Sequence, residues 1–284
     1  MYLYCVVGNP VAHSRSPWIH TRFAELTAQD LRYERRLAPI DGFALTVQAF
    51  REEGGRGCNV TVPFKHEAAA LATTRSPRVT LARAANTLRF DSHAIHADNT
   101  DGLGLVTDIT RNASRTLEAR DVLLIGAGGA AAGVLGPLLG ERPRRLVVAN
   151  RTETRARELT DRHATVAAAS GTLLQTCGLD DARLRGGFDV VINASASSLG
   201  GGGVPVTAQV LRPGSLALDM MYGPAARGFL DWAASHGAEP RDGLGMLVEQ
   251  AAESFFLWRG VRPPSAPVLT ELRRLVDSGA TSNP

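Results

Sequence analysis

Lys65 is the only lysine in a chain whose 31 Lys and Arg residues are otherwise all arginine. A guanidinium is permanently protonated, whereas a lysine ammonium is a compact charge that can give up its proton in a suitable environment. A single lysine in such a chain therefore indicates a position where the chemistry of an amine is needed. Chance retention of lysine at an exposed position is the alternative that composition leaves open.

Two hydroxyl side chains, Ser14 and Ser16, stand two residues apart at the start of a predicted helix. Pro17 suits the first position of that helix, and Ser16 suits its N-cap. Hydroxyl donors beside the positive end of a helix form a suitable site for a carboxylate. The alternative is that Ser16 only caps the helix and that Ser14 only belongs to a turn.

A glycine-rich turn at residues 126–130 follows four consecutive apolar residues, 122–125. Such an apolar run is typical of a strand buried on both faces of a parallel sheet. Glycines directly after this kind of strand let the backbone approach a pyrophosphate at the N-terminus of the next helix. A tight corner without a ligand is the alternative, and the strand before the turn and the alanine-rich helix after it weaken that alternative.

The next predicted strand, residues 146–149, is followed by Asn150, Arg151, Thr152 and Arg155. Enzymes that use NAD usually have Asp or Glu at this point, which binds the ribose 2′-hydroxyl. Two guanidiniums can instead bind a 2′-phosphate, and Thr152 can cap a helix whose N-terminus also favours an anion. This segment therefore favours NADP over NAD, although an arginine pair exposed to solvent would give the same pattern.

Short β-rich runs alternate with amphipathic stretches, which predicts an α/β fold with largely parallel sheets and a doubly wound (Rossmann) second half. The predicted strands lie near residues 2–7, 33–37, 57–62, 87–90, 94–96, 122–125, 146–149, 190–193 and 216–219. The clearest helices begin at Ser16 and cover residues 43–53, 103–110, 246–258 and 267–276. Lys65 would then lie just past the end of a strand. A glycine loop at residues 200–203 and a frayed tail from Ser278 are also expected.

Composition argues against several classes of function. A net charge of +3 is too small and too dispersed for a nucleic-acid-binding protein, although a mildly basic chain suits a small anionic ligand. No apolar run approaches the ~20 residues of a membrane span, and no signal peptide is visible. Three cysteines without a CxxC pair indicate neither a disulfide framework nor a zinc site. We therefore expect a cytoplasmic protein without a membrane anchor or a metal.

Several motifs in the same order resemble those of the shikimate dehydrogenase family. Besides the glycine turn and the segment after residue 149, they are residues 8–17 (GNPVAHSRSP), 59–65 (NVTVPFK), 85–87 (ANT), 98–102 (DNTDG), 219–224 (DMMYGP) and 242–250 (DGLGMLVEQ). The resemblance runs from Gly8 to about Pro267. The segment at residues 194–203 departs from the family pattern.

This resemblance implies a reversible, NADPH-dependent reduction of 3-dehydroshikimate to shikimate on the route to chorismate and the aromatic amino acids. It implies a substrate domain (residues 1–101, completed by helices in 244–284), an NADP-binding Rossmann domain (102–243) and a substrate cleft between them. The catalytic residues would be Lys65 and Asp101. The substrate would be bound by Ser14, Ser16, Thr61, Asn86, Tyr222 and Gln250. The cofactor would be bound by Gly126, Ala127, Gly128, Gly129, Ala130, Asn150, Arg151, Thr152, Arg155, Met220 and Gly243.

Ketone chemistry supports the two catalytic assignments. Hydride transfer to a ketone creates an alkoxide that needs a proton, and general acid catalysis is worth roughly 10²- to 10⁴-fold in rate. Lys65 can supply this proton, and Asp101 can orient the ammonium. Whether Lys65 transfers the proton or only stabilises the oxyanion stays open. Taken singly, Asp101 would be a helix cap, and Asn86, Tyr222 and Gln250 would be ordinary turn or helix residues.

Two alternatives remain beside the main prediction of a shikimate dehydrogenase acting as a monomer or a homodimer. A quinate/shikimate dehydrogenase of the same fold would accept an additional ring hydroxyl or NAD, and Arg151 and Arg155 argue against NAD. A non-catalytic dinucleotide-binding regulator would have no need of Lys65 and Asp101 together.

Overall fold

The computed structural model describes residues 1–195 and 203–278 of the chain. Most of the glycine loop expected at residues 200–203, and all of the tail expected after Ser278, lie outside the described residues. The chain divides into two compact units. The first unit consists of Met1–Gly104 and Leu247–Pro284, and the second is the continuous segment Leu105–Met246.

Twelve strands form two sheets within the part of the chain that the structure describes. They are β1 (Tyr2–Gly8), β2 (Leu31–Leu37), β3 (Gly55–Val60), β4 (Thr74–Arg75), β5 (Thr87–Phe90), β6 (Ile95–Asp98), β7 (Asp121–Ile125), β8 (Arg145–Ala149), β9 (Leu173–Cys177), β10 (Phe188–Asn193), β11 (Leu211–Asp219) and β12 (Glu239–Arg241).

The α-helices are α1 (Ser16–Leu26), α2 (Phe43–Glu52), α3 (Lys65–Leu71), α4 (Pro77–Ala82), α5 (Asp101–Thr107), α6 (Gly129–Gly140), α7 (Glu153–Ser170), α8 (Arg227–Ser235), α9 (Leu244–Arg259) and α10 (Ser265–Asp277). The end of α5 widens into a π-helical turn, Asp108–Asn112, in which Ala113 N donates to Asp108 O over 2.9 Å. Both α5 and α9 contain a boundary between the two units.

The sheet of the first unit has the strand order β2-β1-β3-β5-β6-β4. Strands β2, β1 and β3 are parallel, as predicted, but β5 is antiparallel to both β3 and β6. The connection from β5 to β6 is a turn in which Asp91 Oδ1 accepts from Ala94 N over 2.8 Å. Because so short a connection cannot make the crossover that parallel strands require, the two strands form a hairpin.

The first sheet is buried on both faces at strand β1. Cys5 and Val7 belong to a core that includes phenylalanines of α2, whereas Tyr4 and Val6 pack with Tyr33 on the opposite face. Alternating side chains of one strand therefore serve two cores. This double burial holds β1 between two cores, and the loop that carries Ser14 follows β1 directly.

The second unit contains a fully parallel sheet in the order β12-β11-β10-β7-β8-β9. All five residues of β7 are buried, as its apolar sequence predicts. The chain proceeds from β7 to β8 on one side and returns to β10 on the other. The strand order therefore reverses between β7 and β10, and ligands of doubly wound sheets bind at such a switch point. The predicted α/β fold is confirmed.

Several local predictions were wrong. Arg15, and not Ser16, is the N-cap of α1, because the backbone is already helical at Ser16. Strand β3 ends at Val60, since Phe64 N donates to Thr61 O over 3.1 Å and closes a turn there. The short elements α3, α4, β4, β9 and β12 were not predicted, because their lengths give too little periodicity to recognise.

Candidate active site

Lys65 and Asp101 form an ion pair in the first unit. Lys65 Nζ donates to Asp101 Oδ2 over 2.6 Å, although the residues are 36 positions apart. The Lys65 side chain is 18% exposed and that of Asp101 is 8% exposed. The Lys65 side chain thus keeps part of its surface exposed, while that of Asp101 is almost completely withdrawn from water.

Asn86 holds the other oxygen of the same carboxylate. Its Nδ2 lies 2.8 Å from Asp101 Oδ1 and 3.1 Å from Gln250 Oε1, and its Oδ1 accepts from Thr100 N over 2.8 Å. Asn86 is 3% exposed. Two donors, the Lys65 ammonium and the Asn86 amide, each bind one oxygen of Asp101 and therefore fix the orientation of its carboxylate.

Strand pairing explains why these residues meet. Asn86 directly precedes β5, and Thr87 at the start of β5 pairs with Asn59 near the end of β3 and with Asp98 at the end of β6. The antiparallel direction of β5 thus places its start beside the ends of both neighbours. Helix α3, which begins with Lys65, follows β3, and helix α5, which begins with Asp101, follows β6.

A buried polar cluster lies behind Asn86. Asn59 Nδ2 donates to Asn86 O over 3.1 Å and to Ser254 Oγ over 2.9 Å, and Tyr33 Oη donates to Asn59 Oδ1 over 2.8 Å. Burial raises the pKa of Tyr33 well above its usual value, so its hydroxyl stays a neutral donor. Sequence reasoning gave no site role to Asn59, Ser254 or Tyr33, although an asparagine in a buried strand is a usable signal.

The predicted carboxylate-binding serines lie together at the start of α1. Ser14 Oγ accepts from Ser16 N over 3.3 Å. Ser16 is 6% exposed, while Ser14 is partly buried. Thr61 lies across from the strand that leads into this loop, since Thr61 N donates to Val7 O over 2.9 Å and its methyl group contacts Gly8.

The glycine turn of the second unit has the geometry that a pyrophosphate needs. Gly126 has φ of +108°, and a Cβ there would lie 3.0 Å from Ala194 O. A Cβ at Gly128 would meet no atom within 4 Å, so its backbone faces open space. Helix α6 begins at the next residue, with no acidic side chain in its first turn. These residues fit a dinucleotide at the switch point.

Arg151 and Arg155, which follow β8, form no ion pair with any carboxylate in the part of the chain that the structure describes. Glu153 instead pairs with Arg157 over 2.8 Å, which leaves the charges of Arg151 and Arg155 available to an anion. Thr152 is the N-cap of α7 as predicted, but its side chain makes no capping hydrogen bond. Asn150 Nδ2 donates to Thr152 O over 2.9 Å and orders the turn.

Two buried polar residues order the strand ends beside the glycine turn. Asn193 Nδ2 donates to Asp219 Oδ2 over 2.9 Å, and Asp219 Oδ1 accepts from Met221 N over 2.8 Å. Gly243 packs so closely against the Met220 carbonyl that a side chain would overlap it. Met220 and Gly243, both predicted to bind the cofactor, are therefore adjacent.

The seven substrate-site and catalytic predictions that fall in the first unit are Ser14, Ser16, Thr61, Lys65, Asn86, Asp101 and Gln250. Tyr222 belongs to the second unit, at the N-cap of a short 3₁₀ helix. Across residues 1–195 and 203–278, no three or more His, Cys, Asp or Glu side chains are grouped so as to hold a metal. No helix among these residues combines the length and apolar character of a membrane span.

Comparison with known proteins assigns the whole chain to one family. Residues 6–88 match the shikimate dehydrogenase substrate binding domain, residues 108–199 match shikimate / quinate 5-dehydrogenase, and residues 243–273 match the shikimate 5'-dehydrogenase C-terminal domain. The shikimate dehydrogenase (NADP(+)) of Acidovorax sp. (strain JS42) is 70% identical over 98% of both chains.

Two solved structures extend this similarity. The Ael1 enzyme from Pseudomonas putida is 42% identical with a TM-score of 0.88, over 96% of this chain and 98% of that chain. Shikimate 5-dehydrogenase from Thermus thermophilus, in complex with NADP(H) and shikimate, is 28% identical with a TM-score of 0.83, over 96% of this chain and 99% of that chain.

Proposed function

The chain belongs to the family of NADP-dependent shikimate dehydrogenases, and we propose that it interconverts 3-dehydroshikimate and shikimate through the residues described above. The observation that supports this most directly is the Lys65–Asp101 pair held by Asn86. Reduction of a ketone needs a proton donor beside the carbonyl oxygen, and the partly exposed ammonium is such a donor.

Lys65 stabilises the negative charge that develops on the carbonyl oxygen and donates its proton to that oxygen. Asp101 orients the ammonium through the 2.6 Å contact. Because Asn86 holds the second carboxylate oxygen, the pair needs little reorganisation during the reaction. In the direction of shikimate oxidation the same groups act in reverse, and Lys65 accepts the hydroxyl proton.

The substrate carboxylate is held by Ser14 and Ser16. These hydroxyls lie at the N-terminus of α1, where the helix dipole favours an anion. Around the ring, Thr61, Asn86 and Gln250 supply hydrogen bonds to the hydroxyl groups, and Tyr222 is a further proposed substrate ligand. A carboxylate subsite and a reacting-oxygen subsite within the first unit fix the orientation of a small cyclic acid.

NADP is bound by the second unit, and it supplies or accepts the hydride when bound. Gly126, Ala127, Gly128, Gly129 and Ala130 hold its pyrophosphate by backbone N–H groups, and Met220 and Gly243 line the remainder of the site. Arg151 and Arg155, with Asn150 and Thr152 ordering their turn, bind the 2′-phosphate. The first unit thus acts as the substrate domain and the second as the nucleotide domain.

We also propose a cellular location, an oligomeric state and a set of ligands for the protein. Cys5, Cys58 and Cys177 are buried free thiols, which suits a reducing compartment, and we place the enzyme in the cytoplasm as a monomer or a homodimer. Its ligands are a small anionic substrate and the dinucleotide, and nucleic acid is not among its partners.

The test follows nicotinamide absorbance with each combination of NADP or NAD and shikimate or quinate. We expect turnover with shikimate and NADP to exceed the other three combinations. Absence of that turnover would contradict the proposal. Comparable rates with quinate would favour a quinate/shikimate dehydrogenase. The match of residues 108–199 to shikimate / quinate 5-dehydrogenase is compatible with that alternative.

A further inference from the structure

Arg35 lies at the candidate carboxylate site without being one of its predicted ligands. It occupies β2, next to β1, where it pairs with Val6. Its guanidinium donates from Nη2 and Nε to the carbonyl oxygen of Ser14, over 2.8 and 3.2 Å. The Arg35 side chain thus binds the backbone of Ser14, the residue whose hydroxyl is proposed to bind the substrate.

Arg35 is also unusual in its charge environment. Its neighbours on β2 are paired, Arg32 and Arg36 with Glu34. No carboxylate among residues 1–195 and 203–278 forms an ion pair with Arg35. A guanidinium has five N–H donors, so the fork retains donors and a full positive charge after it has bound the Ser14 carbonyl.

A second residue of β2, Tyr33, also contacts a part of the proposed substrate site. Tyr33 and Arg35 are two residues apart on β2 and therefore project from the same face. Tyr33 Oη donates to Asn59 Oδ1 over 2.8 Å, in the polar cluster behind Asn86. The same face of β2 thus supports the two ends of the substrate site, Arg35 at the serine loop and Tyr33 at the asparagine cluster.

We propose that Arg35 is a positioning residue for recognition of the substrate carboxylate. It fixes the Ser14 backbone so that the hydroxyls of Ser14 and Ser16 converge, and its uncompensated charge favours a carboxylate over a neutral group at that position. The inference rests on the proposed function, because it takes the serine loop as the carboxylate subsite. It assigns Arg35 no contact with the reacting carbon or the cofactor.

The test compares wild type with Arg35→Met, Arg35→Lys and the matched control Arg32→Met. Arg32 lies on the same strand but faces the other way, and its side chain is 64% exposed. In Arg35→Met we expect the KM for shikimate to rise by about tenfold or more, with kcat and the KM for NADP changed less than about threefold. Arg35→Lys should recover part of the loss, because it restores charge without the fork.

Ionic strength gives a readout that a purely structural role would not move. The KM for shikimate in wild type should rise more steeply with salt than in Arg35→Met, since the variant lacks the screened charge. Equal shikimate KM values in wild type and Arg35→Met, or a loss confined to kcat, would overturn the proposal. Should Arg35→Met fail to fold, Arg35→Gln is judged by the same criteria.

Calorimetry distinguishes a failure of the proposed function from a failure of the inference about Arg35. If the wild type does not oxidise shikimate, its catalytic assignment fails, whereas shikimate binding to wild type and Arg35→Met still decides the role of Arg35. Binding that is about tenfold weaker in the variant supports the inference, and identical binding rejects it.

Discussion

Lys65 is the residue that an arginine cannot replace if it moves a proton. In Lys65→Arg the positive charge and the pairing with Asp101 can persist, but the guanidinium does not give up a proton near neutral pH. We expect kcat to fall by roughly 10²- to 10⁴-fold. Calorimetric affinity for shikimate should change much less, because the binding groups remain.

Arg142→Lys is the matched control for this prediction. Arg142 pairs with Glu118 on the surface of the second unit, and both side chains are more than half exposed. Its kcat should equal that of wild type. A Lys65→Arg enzyme with near-normal turnover would show that charge alone suffices and that Lys65 only stabilises the oxyanion.

At the residue scale, the residues proposed to carry out the chemistry were easier to predict than the residues that hold them in position. Lys65 stood out as the only lysine, and Asp101 was assigned through the resemblance of its motif at residues 98–102. Arg35 and Ser254 did not stand out, since an arginine in an edge strand and a serine in a helix are ordinary. Their roles depend on partners 21 and 195 positions away, and strand pairing and the returning helix α9 decide those contacts.

The N-terminus of α7 is the element that should separate NADP from NAD. Arg155 lies in its first turn, where a cation is unfavourable unless an anion is bound nearby. In Arg151→Ala combined with Arg155→Ala we expect the KM for NADP to rise by about 10- to 100-fold, because charge-assisted hydrogen bonds are lost. The KM for NAD should change little.

Arg142→Ala provides a control in the same unit, because Arg142 pairs with Glu118 at an exposed position. It should leave the KM for NADP within about twofold of wild type. Parallel losses with NADP and NAD in the double variant would place the 2′-phosphate elsewhere.

At the element scale, periodicity predicted the long buried strands of the second unit well. Strand β7 contains four consecutive apolar residues, 122–125, which are typical of a parallel sheet covered on both faces. The antiparallel direction of β5 relative to β6 follows from the short turn between them, whereas its pairing with β3 was not predictable from its residues. That direction is what brings Asn86 beside the ends of its neighbours.

The stability of the whole molecule should depend on pH through His20. His20 is 1% exposed and stacks on Tyr33, with ring centroids 4.3 Å apart. Burial lowers its pKa to about 3, whereas an unfolded imidazole titrates near ~6.5. Between these values the unfolded chain binds a proton that the folded chain does not. The free energy of unfolding should therefore fall by about 1 kcal/mol per pH unit as the pH drops below ~6.5.

Urea unfolding at pH 7 and pH 5 checks this expectation, with fluorescence of the nearby Trp258 as a signal. His20→Phe keeps an aromatic ring in the stack but has no group to protonate, so its decline should be smaller than that of wild type. His93→Gln, at an exposed position, should decline as wild type does. Equal declines in wild type and His20→Phe would exclude His20 as the cause.

The interrupted first unit has a consequence for synthesis on the ribosome. The second unit, proposed to bind the nucleotide, is one uninterrupted segment, so we expect it to fold once Met246 has emerged. The substrate unit begins earlier in the chain but lacks Gln250 and Ser254 until α9 is made. Asn59 and Asn86 must wait for these partners. The part of the chain that is translated first is therefore completed last, so we expect a nascent chain to complete the proposed cofactor site before the proposed substrate site.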